Sequence, residues 1–257
     1  MSSSARYMTL SNLLTTVNLF GGFLSITMTV AGHYAAAGWI IILSGLFDAL
    51  DGWIARALGQ NSDFGLQADS LADVVSGGVA PSLLLYEYYL NGVGNHMALG
   101  LLLAFLPLLF AAFRLARFNV MTQHNGHKPY FTGMPAPMAA ASLASLVILH
   151  HHFGWPILLH CIVIMTPAIS FAMGSHLRYE GFPRFSFKSS AGNRFKLILF
   201  FCTLLCLFVS LYITLSVFIM LYFLSGPAKF VYDLFAERGV GEELLETEEF
   251  VVDQRLQ

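Results

Sequence analysis

The chain has 257 residues, of which 56% are hydrophobic and only 11% are Asp, Glu, Lys or Arg, whereas soluble domains carry about 25% charged residues. Apolar stretches of about 18 or more residues recur along the chain, and an α-helix needs that length to cross a bilayer. The net charge of −2 excludes a basic nucleic-acid-binding protein. Composition therefore predicts an all-α polytopic membrane protein that has no nucleic-acid partner.

Six transmembrane helices are expected in the first 175 residues. In chain order they cover residues 12–30, 35–58, 68–89, 97–118, 134–151 and 156–175. The basic residues up to Lys196 fall into four groups: Arg6 precedes the first span, Arg56 follows the second, the group at 114–128 follows the fourth and the group at 178–196 follows the sixth. Because Lys and Arg accumulate on the cytoplasmic side of a membrane, six helices place the amino terminus and all these groups in the cytoplasm.

A further apolar run, 197–224, is 28 residues long, or about 42 Å as one helix. A single tilted helix would carry the last three basic residues to the outside, whereas a hairpin of two short helices keeps them in the cytoplasm and is favoured by the charge rule. Eight of the 15 acidic residues lie between Asp233 and Asp253. The sequence thus predicts a transmembrane domain at 1–227 and an acidic cytoplasmic tail at 228–257.

Acidic residues also cluster between the second and third spans, where five fall within 26 positions: Asp48, Asp51, Asp63, Asp69 and Asp73. A carboxylate at membrane depth costs several kcal/mol unless it is paired or bound to a metal. Asp48 and Asp51 are three apart and Asp69 and Asp73 four apart, so each pair shares a helix face. The breaker-rich turn 59–65, where we place Asp63 in solvent, would bring the pairs together. Such oxygen ligands favour Mg²⁺, Mn²⁺ or Ca²⁺.

The aspartates belong to a longer pattern: Asp48-x-x-Asp51-Gly52-x-x-Ala55-Arg56, eight residues, then Gly65-x-x-x-Asp69-x-x-x-Asp73. This pattern resembles the signature of the CDP-alcohol phosphotransferase family at all eight fixed positions and in every gap. Further motifs resemble the phosphatidylserine synthase branch of that family: Asn12-x-x-Thr15-x-x-Asn18, Arg114-Leu115-Ala116-Arg117-Phe118-Asn119, Phe131-Thr132-Gly133-Met134-Pro135-Ala136-Pro137, the loop 178–188 and Ser225-Gly226-Pro227. The unbroken run 197–224 departs from the family, which more often shows a recognisable hairpin.

The resemblance implies an enzyme that transfers the phosphatidyl group of CDP-diacylglycerol to L-serine and releases CMP. It implies a six-helix transmembrane core with one long or two short C-terminal helices, and a homodimer. The expected setting is the prokaryotic cytoplasmic membrane, with the active site facing the cytoplasm. The implied cofactor is Mg²⁺ or Mn²⁺ in a two-metal site, with Ca²⁺ as a further option.

When the roles of the family's residues are carried over position by position, the resemblance implies four metal ligands: Asp48, Asp51, Asp69 and Asp73. It also implies that Asp73 is the general base. The residues it assigns to CDP-diacylglycerol are Asn12, Thr15, Gly52, Ala55, Arg56, Ser62 and Gly65. The residues it assigns to serine or phosphate are Arg114, Arg117, Asn119, Lys128 and Arg178.

Several alternatives stay open. The acceptor could be inositol phosphate or glycerol phosphate, the lipid could be an archaeal ether lipid, and the protein could be an ion-coupled transporter or an inactive lipid-binding scaffold. Arg114 and Arg117 could serve only to orient the chain in the membrane. Helix packing or capping is the alternative for the small and polar positions Asn12, Thr15, Gly52 and Ala55. We place His150–His152 in an interfacial loop, away from the aspartates, rather than in a metal site.

Overall fold

The structure is a computed structural model that describes residues 10–58, 63–93, 97–125, 131–179, 210–230 and 232. Its helices are α1 (Leu10–Val30), α2 (Tyr34–Leu58), α3 (Asp63–Asp73), α4 (Ala80–Val93), α5 (Met97–Asn125), α6 (Ala136–Phe153), α7 (Pro156–Gly174) and α8 (Leu211–Phe230), and a π-helical turn, Val74–Val79, joins α3 to α4. Two strands of two residues each, β1 (Phe131–Thr132) and β2 (Arg178–Tyr179), pair antiparallel. The predicted all-α class is confirmed, with this short pair as the exception.

The distribution of side chains is that of a protein embedded in lipid. Five helices, α1, α2, α5, α7 and α8, are long and apolar enough to cross a bilayer. Large apolar side chains such as Phe20, Phe23 and Leu102 are exposed on the outer surface, while Ser142 and Ser170 are fully buried. In a membrane bundle, small and polar residues lie between the helices, and large apolar residues such as Leu and Phe face the lipid. The polytopic membrane prediction is therefore confirmed.

The two remaining predicted spans are also helical. The third predicted span is divided among α3, the π-helical turn and α4, and it carries the carboxylates. The fifth predicted span begins as a helix at Ala136 rather than at residue 134 and ends in three histidines. The π-helical turn divides the third predicted span into helices of 11 and 14 residues, each shorter than the roughly 20 residues that cross a bilayer, while the three histidines lower the hydropathy of the fifth.

Glycines in the left-handed conformation end α1 and α6. Gly32 and Gly154 have φ values of 79° and 65°, and the N–H of Gly154 donates to the carbonyl of His150 at 2.8 Å. Pro156 then begins α7, as expected for a helix that starts directly after a glycine-capped one. The expected interfacial loop at His150–His152 is wrong, because α6 continues through these residues to its glycine cap.

The motif before α6 attaches the start of that helix to the end of α7. The N–H of Gly133 donates to the carbonyl of Leu177 at 2.9 Å, and that of Met134 to the carbonyl of Ala172 at 3.1 Å. Gly133 has φ 82°, and a Cβ there would lie 2.3 Å from the carbonyl oxygen of Met173. Only glycine fits this close approach.

A contact between Tyr179 and α8 fixes the C-terminal helix against the bundle. Tyr179 is fully buried, and its hydroxyl donates to the carbonyl of Phe223 at 3.2 Å. Burial, with a smaller effect of Tyr222, raises the pKa of Tyr179 to about 12, so this hydroxyl stays a donor at physiological pH. The hydroxyl of Ser216 donates to the carbonyl of Ser145 at 3.2 Å and thereby ties α8 to α6.

The start of α8 bears on the predicted run 197–224. The N–H of Thr214 donates to the carbonyl of Ser210, and the helix begins at Leu211. A single helix through the whole run is therefore wrong, because Ser210 is not helical. Residues 197–209 and the tail after 232 lie outside the described residues, so the hairpin and the acidic tail stay predictions.

Gly226→Ala should destabilise the protein through this contact. A Cβ at position 226 would lie 2.3 Å from Cζ of the Tyr179 ring, which is buried and has no space to retreat. We expect a loss of about 1–3 kcal/mol, as for other overpacked cores, measured as a lower Tm in detergent. The control is Ala228→Ser, a small change at an exposed position of the same helix, which should leave the Tm nearly unchanged. An unchanged Tm for Gly226→Ala would contradict the contact.

Candidate active site

Three carboxylates from two helices meet inside the bundle. Carboxylate oxygens of Asp48 and Asp51 on α2 and of Asp69 on α3 all lie within 4.8 Å of one another. Asp51 is only 2% exposed. Helical spacing predicted that these side chains would share facing surfaces, and the structure brings them together. The expected turn is wrong at Asp63, because α3 already begins at that residue, and its side chain lies outside the described part of the structure.

Asp73 lies beside this group rather than within it. It is the last residue of α3, directly before the π-helical turn, and it is 7% exposed. Its carboxylate contacts that of Asp48, and its Oδ1 accepts a hydrogen bond from Nδ2 of Asn18 at 3.2 Å. π-helical turns of this kind are frequent at functional sites.

Helix α1 contributes two polar side chains that hold the carboxylates. The hydroxyl of Thr15 donates to Oδ2 of Asp51 at 2.9 Å, and Asn18, three residues later, holds Asp73. Asn12 lies half-buried one turn before Thr15. The sequence motif assigned Thr15 to the substrate, whereas in the structure its hydroxyl contacts an aspartate.

Charge balance favours a bound divalent cation. Within the described part of the chain, Arg114 on α5 is the only buried Lys or Arg, and it interacts electrostatically with Asp48 and Asp73. One cation does not compensate four converging carboxylates in a medium of low dielectric constant. Oδ1 of Asp69 is buried without a hydrogen-bond partner. The donor set of clustered carboxylate oxygens therefore fits a hard divalent metal ion.

The two arginines of α5 differ in their surroundings. Arg114 is 8% exposed, and its Nε has no hydrogen-bond partner. The guanidinium of Arg117 donates to the carbonyls of Gly174 at 3.2 Å and Ser175 at 3.3 Å, at the end of α7. The resemblance assigned both arginines to serine or phosphate. Their observed contacts instead direct Arg114 to the aspartates and Arg117 to the backbone.

Other predicted site residues surround the cluster or lie outside the described residues. Nδ2 of Asn119 donates to the hydroxyl of Ser70 at 2.9 Å and so links α5 to α3 next to Asp69. Gly52 and Gly65 are half-buried. Ser62 and Lys128 lie outside the described residues, and only the backbone is described for Ala55, Arg56 and Arg178.

Asn18 and Ser70 contact site residues, although no role was assigned to either from the sequence, in which Asn18 appeared only as the last residue of the motif Asn12-x-x-Thr15-x-x-Asn18. The available signal was helical spacing, because Asn18 follows Thr15 by three residues and therefore shares its face. Ser70 is adjacent to Asp69 but carries no spacing signal toward Asn119, since the two lie on different helices.

The histidines of α6 lie at the other end of the bundle. The side chains of His150 and Tyr88 share a hydrogen bond, and the Tyr88 ring packs edge-on against Tyr34, the first residue of α2. Asp48 is 14 residues further along α2, or about 21 Å. In the residues that the structure describes, the only group of three or more acidic, His or Cys side chains arranged to hold a metal is that of the aspartates.

Comparison with known proteins identifies a family and several relatives of this chain. The model of the CDP-alcohol phosphatidyltransferase family matches residues 8–172. A CDP-diacylglycerol–serine O-phosphatidyltransferase of Helicobacter pylori strain J99 is 35% identical over 228 residues, which cover 86% of this chain and 90% of that protein. An enzyme of the same name from Methanocaldococcus jannaschii is 33% identical over 71% of this chain and 79% of its own length. An archaetidylserine synthase of Methanothermobacter thermautotrophicus is 38% identical over 55% and 59%. The chain belongs to the CDP-alcohol phosphatidyltransferase family.

Proposed function

We propose that this protein transfers the phosphatidyl group of CDP-diacylglycerol to the hydroxyl of L-serine, giving phosphatidylserine and CMP. The observation that carries the proposal is the buried group of Asp48, Asp51 and Asp69 beside Asp73, in a chain of this family. The name of the relative that matches 86% of the chain supports serine as the acceptor. The serine oxygen forms the new bond to phosphorus, and the bond from that phosphorus to the CMP oxygen breaks.

The aspartates divide the chemical work between binding and proton transfer. We assign Asp48, Asp51 and Asp69 to holding Mg²⁺ or Mn²⁺ in a two-metal site, with Ca²⁺ as a further option. Asp73, which the resemblance also makes a ligand, is not part of the group whose oxygens all lie within 4.8 Å of one another, so its main assigned role is that of general base. A bound divalent ion would neutralise the pyrophosphate and the CMP leaving group. Asp73 accepts the proton of the serine hydroxyl as that oxygen attacks. Thr15 restrains Asp51 through its hydrogen bond, which keeps the ligand group in place.

The remaining assignments concern substrate binding. Arg114 is the residue we assign to the serine carboxylate, because its Nε is buried without a partner close to Asp48 and Asp73. Asn119, Lys128 and Arg178 stay proposed acceptor or phosphate contacts, while Arg117 contributes by bracing the end of α7. The residues proposed to contact CDP-diacylglycerol are Asn12, Thr15, Gly52, Ala55, Arg56, Ser62 and Gly65.

Arg114→Lys should raise the KM for serine about tenfold, while Arg117→Lys should leave it within about twofold. Lys keeps the charge but does not reproduce the planar bidentate contact of a guanidinium with a carboxylate. Arg117 already donates to two backbone carbonyls, so its replacement should lower the Tm instead. Both variants are measured with serine and CDP-diacylglycerol varied separately. Equal increases in both KM values for Arg114→Lys would place this side chain on the pyrophosphate.

The setting that we propose is the cytoplasmic membrane of a prokaryote, with the aspartates facing the cytoplasm and the protein a homodimer. The orientation is supported by the basic residues, which group at the ends of the predicted spans that lie nearer to the aspartates. The dimer is supported by family resemblance alone. Labelling of single cysteines placed at Val120 and His151, both exposed and at opposite ends of the bundle, in sealed vesicles distinguishes the two possible orientations.

The reaction is tested with purified protein, Mn²⁺, CDP-diacylglycerol and a panel of labelled alcohols comprising serine, glycerol 3-phosphate and inositol phosphate. CMP release with serine alone, and phosphatidylserine as the lipid product, is the expected result. Release with another alcohol would reassign the acceptor. An ether-linked CDP-lipid is included because one relative is an archaetidylserine synthase. No CMP release with any alcohol would favour the transporter or scaffold alternatives.

A further inference from the structure

Asn18 is a fully buried amide whose two ends differ. Its side chain is 0% exposed on α1, and its Nδ2 donates to Oδ1 of Asp73 at 3.2 Å. Its own Oδ1 is buried with no hydrogen-bond partner. Buried amides that serve folding alone usually satisfy both ends. The amide nitrogen of Asn18 thus binds one carboxylate, while its amide oxygen is left without a partner.

The orientation of this amide follows from the chemistry of its neighbour. A carboxylate offers only acceptors, whereas an asparagine offers donors on nitrogen and acceptors on oxygen. Turning the amide would set two oxygens against each other, so the nitrogen faces Asp73. Asn18 thereby restrains Oδ1 of a carboxylate that also contacts Asp48.

The helix that carries Asn18 is held tightly against the elements around Asp73. A Cβ added to Gly22 would lie 2.9 Å from the backbone of Ser76, which belongs to the π-helical turn after Asp73. A Cβ added to Gly21 would lie 2.1 Å from the hydroxyl of Ser44 on α2. Because α1 packs closely against both the π-helical turn and α2, its distance from Asp73 is fixed. The packing therefore determines the length of the hydrogen bond from Asn18.

We propose that Asn18 is a positioning residue for the transfer reaction, which holds the Asp73 carboxylate in one rotamer so that a single oxygen faces the incoming hydroxyl. The proposal rests on the proposed role of Asp73. Without the hydrogen bond, the carboxylate can rotate about its side chain, and the fraction of molecules in the productive geometry falls. A misplacement of this kind lowers turnover rather than substrate affinity.

The test uses Asn18→Leu, which has a similar volume but no donor, and Asn18→Ser, which is smaller and polar. Ser25→Ala is the matched control, because Ser25 is also fully buried on α1 and its hydroxyl donates to the carbonyl of Ala37 at 3.0 Å, seven residues from Asn18. We expect both Asn18 variants to lose about 10- to 100-fold in kcat, with both KM values within about twofold. Binding of CMP in the presence of Mn²⁺, measured by calorimetry, should be unchanged.

A double-mutant cycle separates this role from a structural one. In an Asp73→Asn background, Asn18→Leu should cost no further turnover, because the group that it positions is already lost. An undiminished kcat in both Asn18 variants would overturn the proposal. So would a full additional loss in the Asp73→Asn background, weaker CMP binding, or a loss of kcat no larger than that of Ser25→Ala at the same Tm. Failure of the proposed function is distinguished because the unmodified protein would then release no CMP.

Discussion

Asp51→Asn should reduce turnover at saturating Mn²⁺ by more than about a hundredfold. Asp51 is 2% exposed, and its carboxylate lies within 4.8 Å of those of Asp48 and Asp69. Loss of a hydrogen-bonding partner of a metal ligand commonly costs about 10- to 100-fold, and loss of a ligand itself should cost more. The amide keeps the shape of the side chain and still accepts the hydrogen bond from Thr15. The measurement is CMP release at increasing Mn²⁺ concentration.

Metal binding is followed separately from activity, by electron paramagnetic resonance of Mn²⁺ with the purified protein. Glu87→Gln is the matched control, because it removes a carboxylate from α4, which continues the same span beyond the π-helical turn. Glu87→Gln should bind Mn²⁺ and turn over normally. A fully active Asp51→Asn variant, or one that binds Mn²⁺ as the unmodified protein does, would contradict the assignment of Asp51 as a ligand.

The positions of the aspartates could be predicted because they depend on local rules. Spacings of three and four residues place two side chains on one helix face, and a breaker-rich segment between two apolar helices brings those faces together. The helices themselves followed from apolar length, and their boundaries were correct to within a few residues for α1, α2 and α7. Such features need no knowledge of the remaining chain.

Features that depend on contacts between distant segments were missed. The carbonyls that hold Arg117 belong to residues 57 and 58 positions later, so its sequence neighbourhood gave no sign of a bracing role. The hydrogen bond from Asn18 to Asp73 spans 55 positions. His150–His152 looked like a loop because they are polar, but packing of Tyr88 against His150 and a glycine cap keep them helical.

Asp73→Asn should lower kcat by about a hundredfold or more, while CDP-diacylglycerol still binds. Removal of a general base commonly costs about 10² to 10⁴ in rate, and an amide does not take up the proton of the serine hydroxyl. Asn18 can keep its hydrogen bond, because the amide oxygen of the new residue accepts in place of the carboxylate Oδ1. The fold around the π-helical turn should therefore persist, and the Tm should stay close to that of the unmodified protein.

Asp73 lies beside the three-carboxylate group rather than within it. The Asp73→Asn and Asp51→Asn variants should therefore differ in Mn²⁺ affinity. If Asp73 acts only on the proton, Mn²⁺ affinity and CDP-diacylglycerol binding are retained while turnover is lost. If it is instead a metal ligand, Mn²⁺ affinity and turnover fall together, as for Asp51→Asn. Measuring Mn²⁺ affinity, lipid binding and kcat on the two variants side by side thus assigns each carboxylate to holding the ion or to moving the proton.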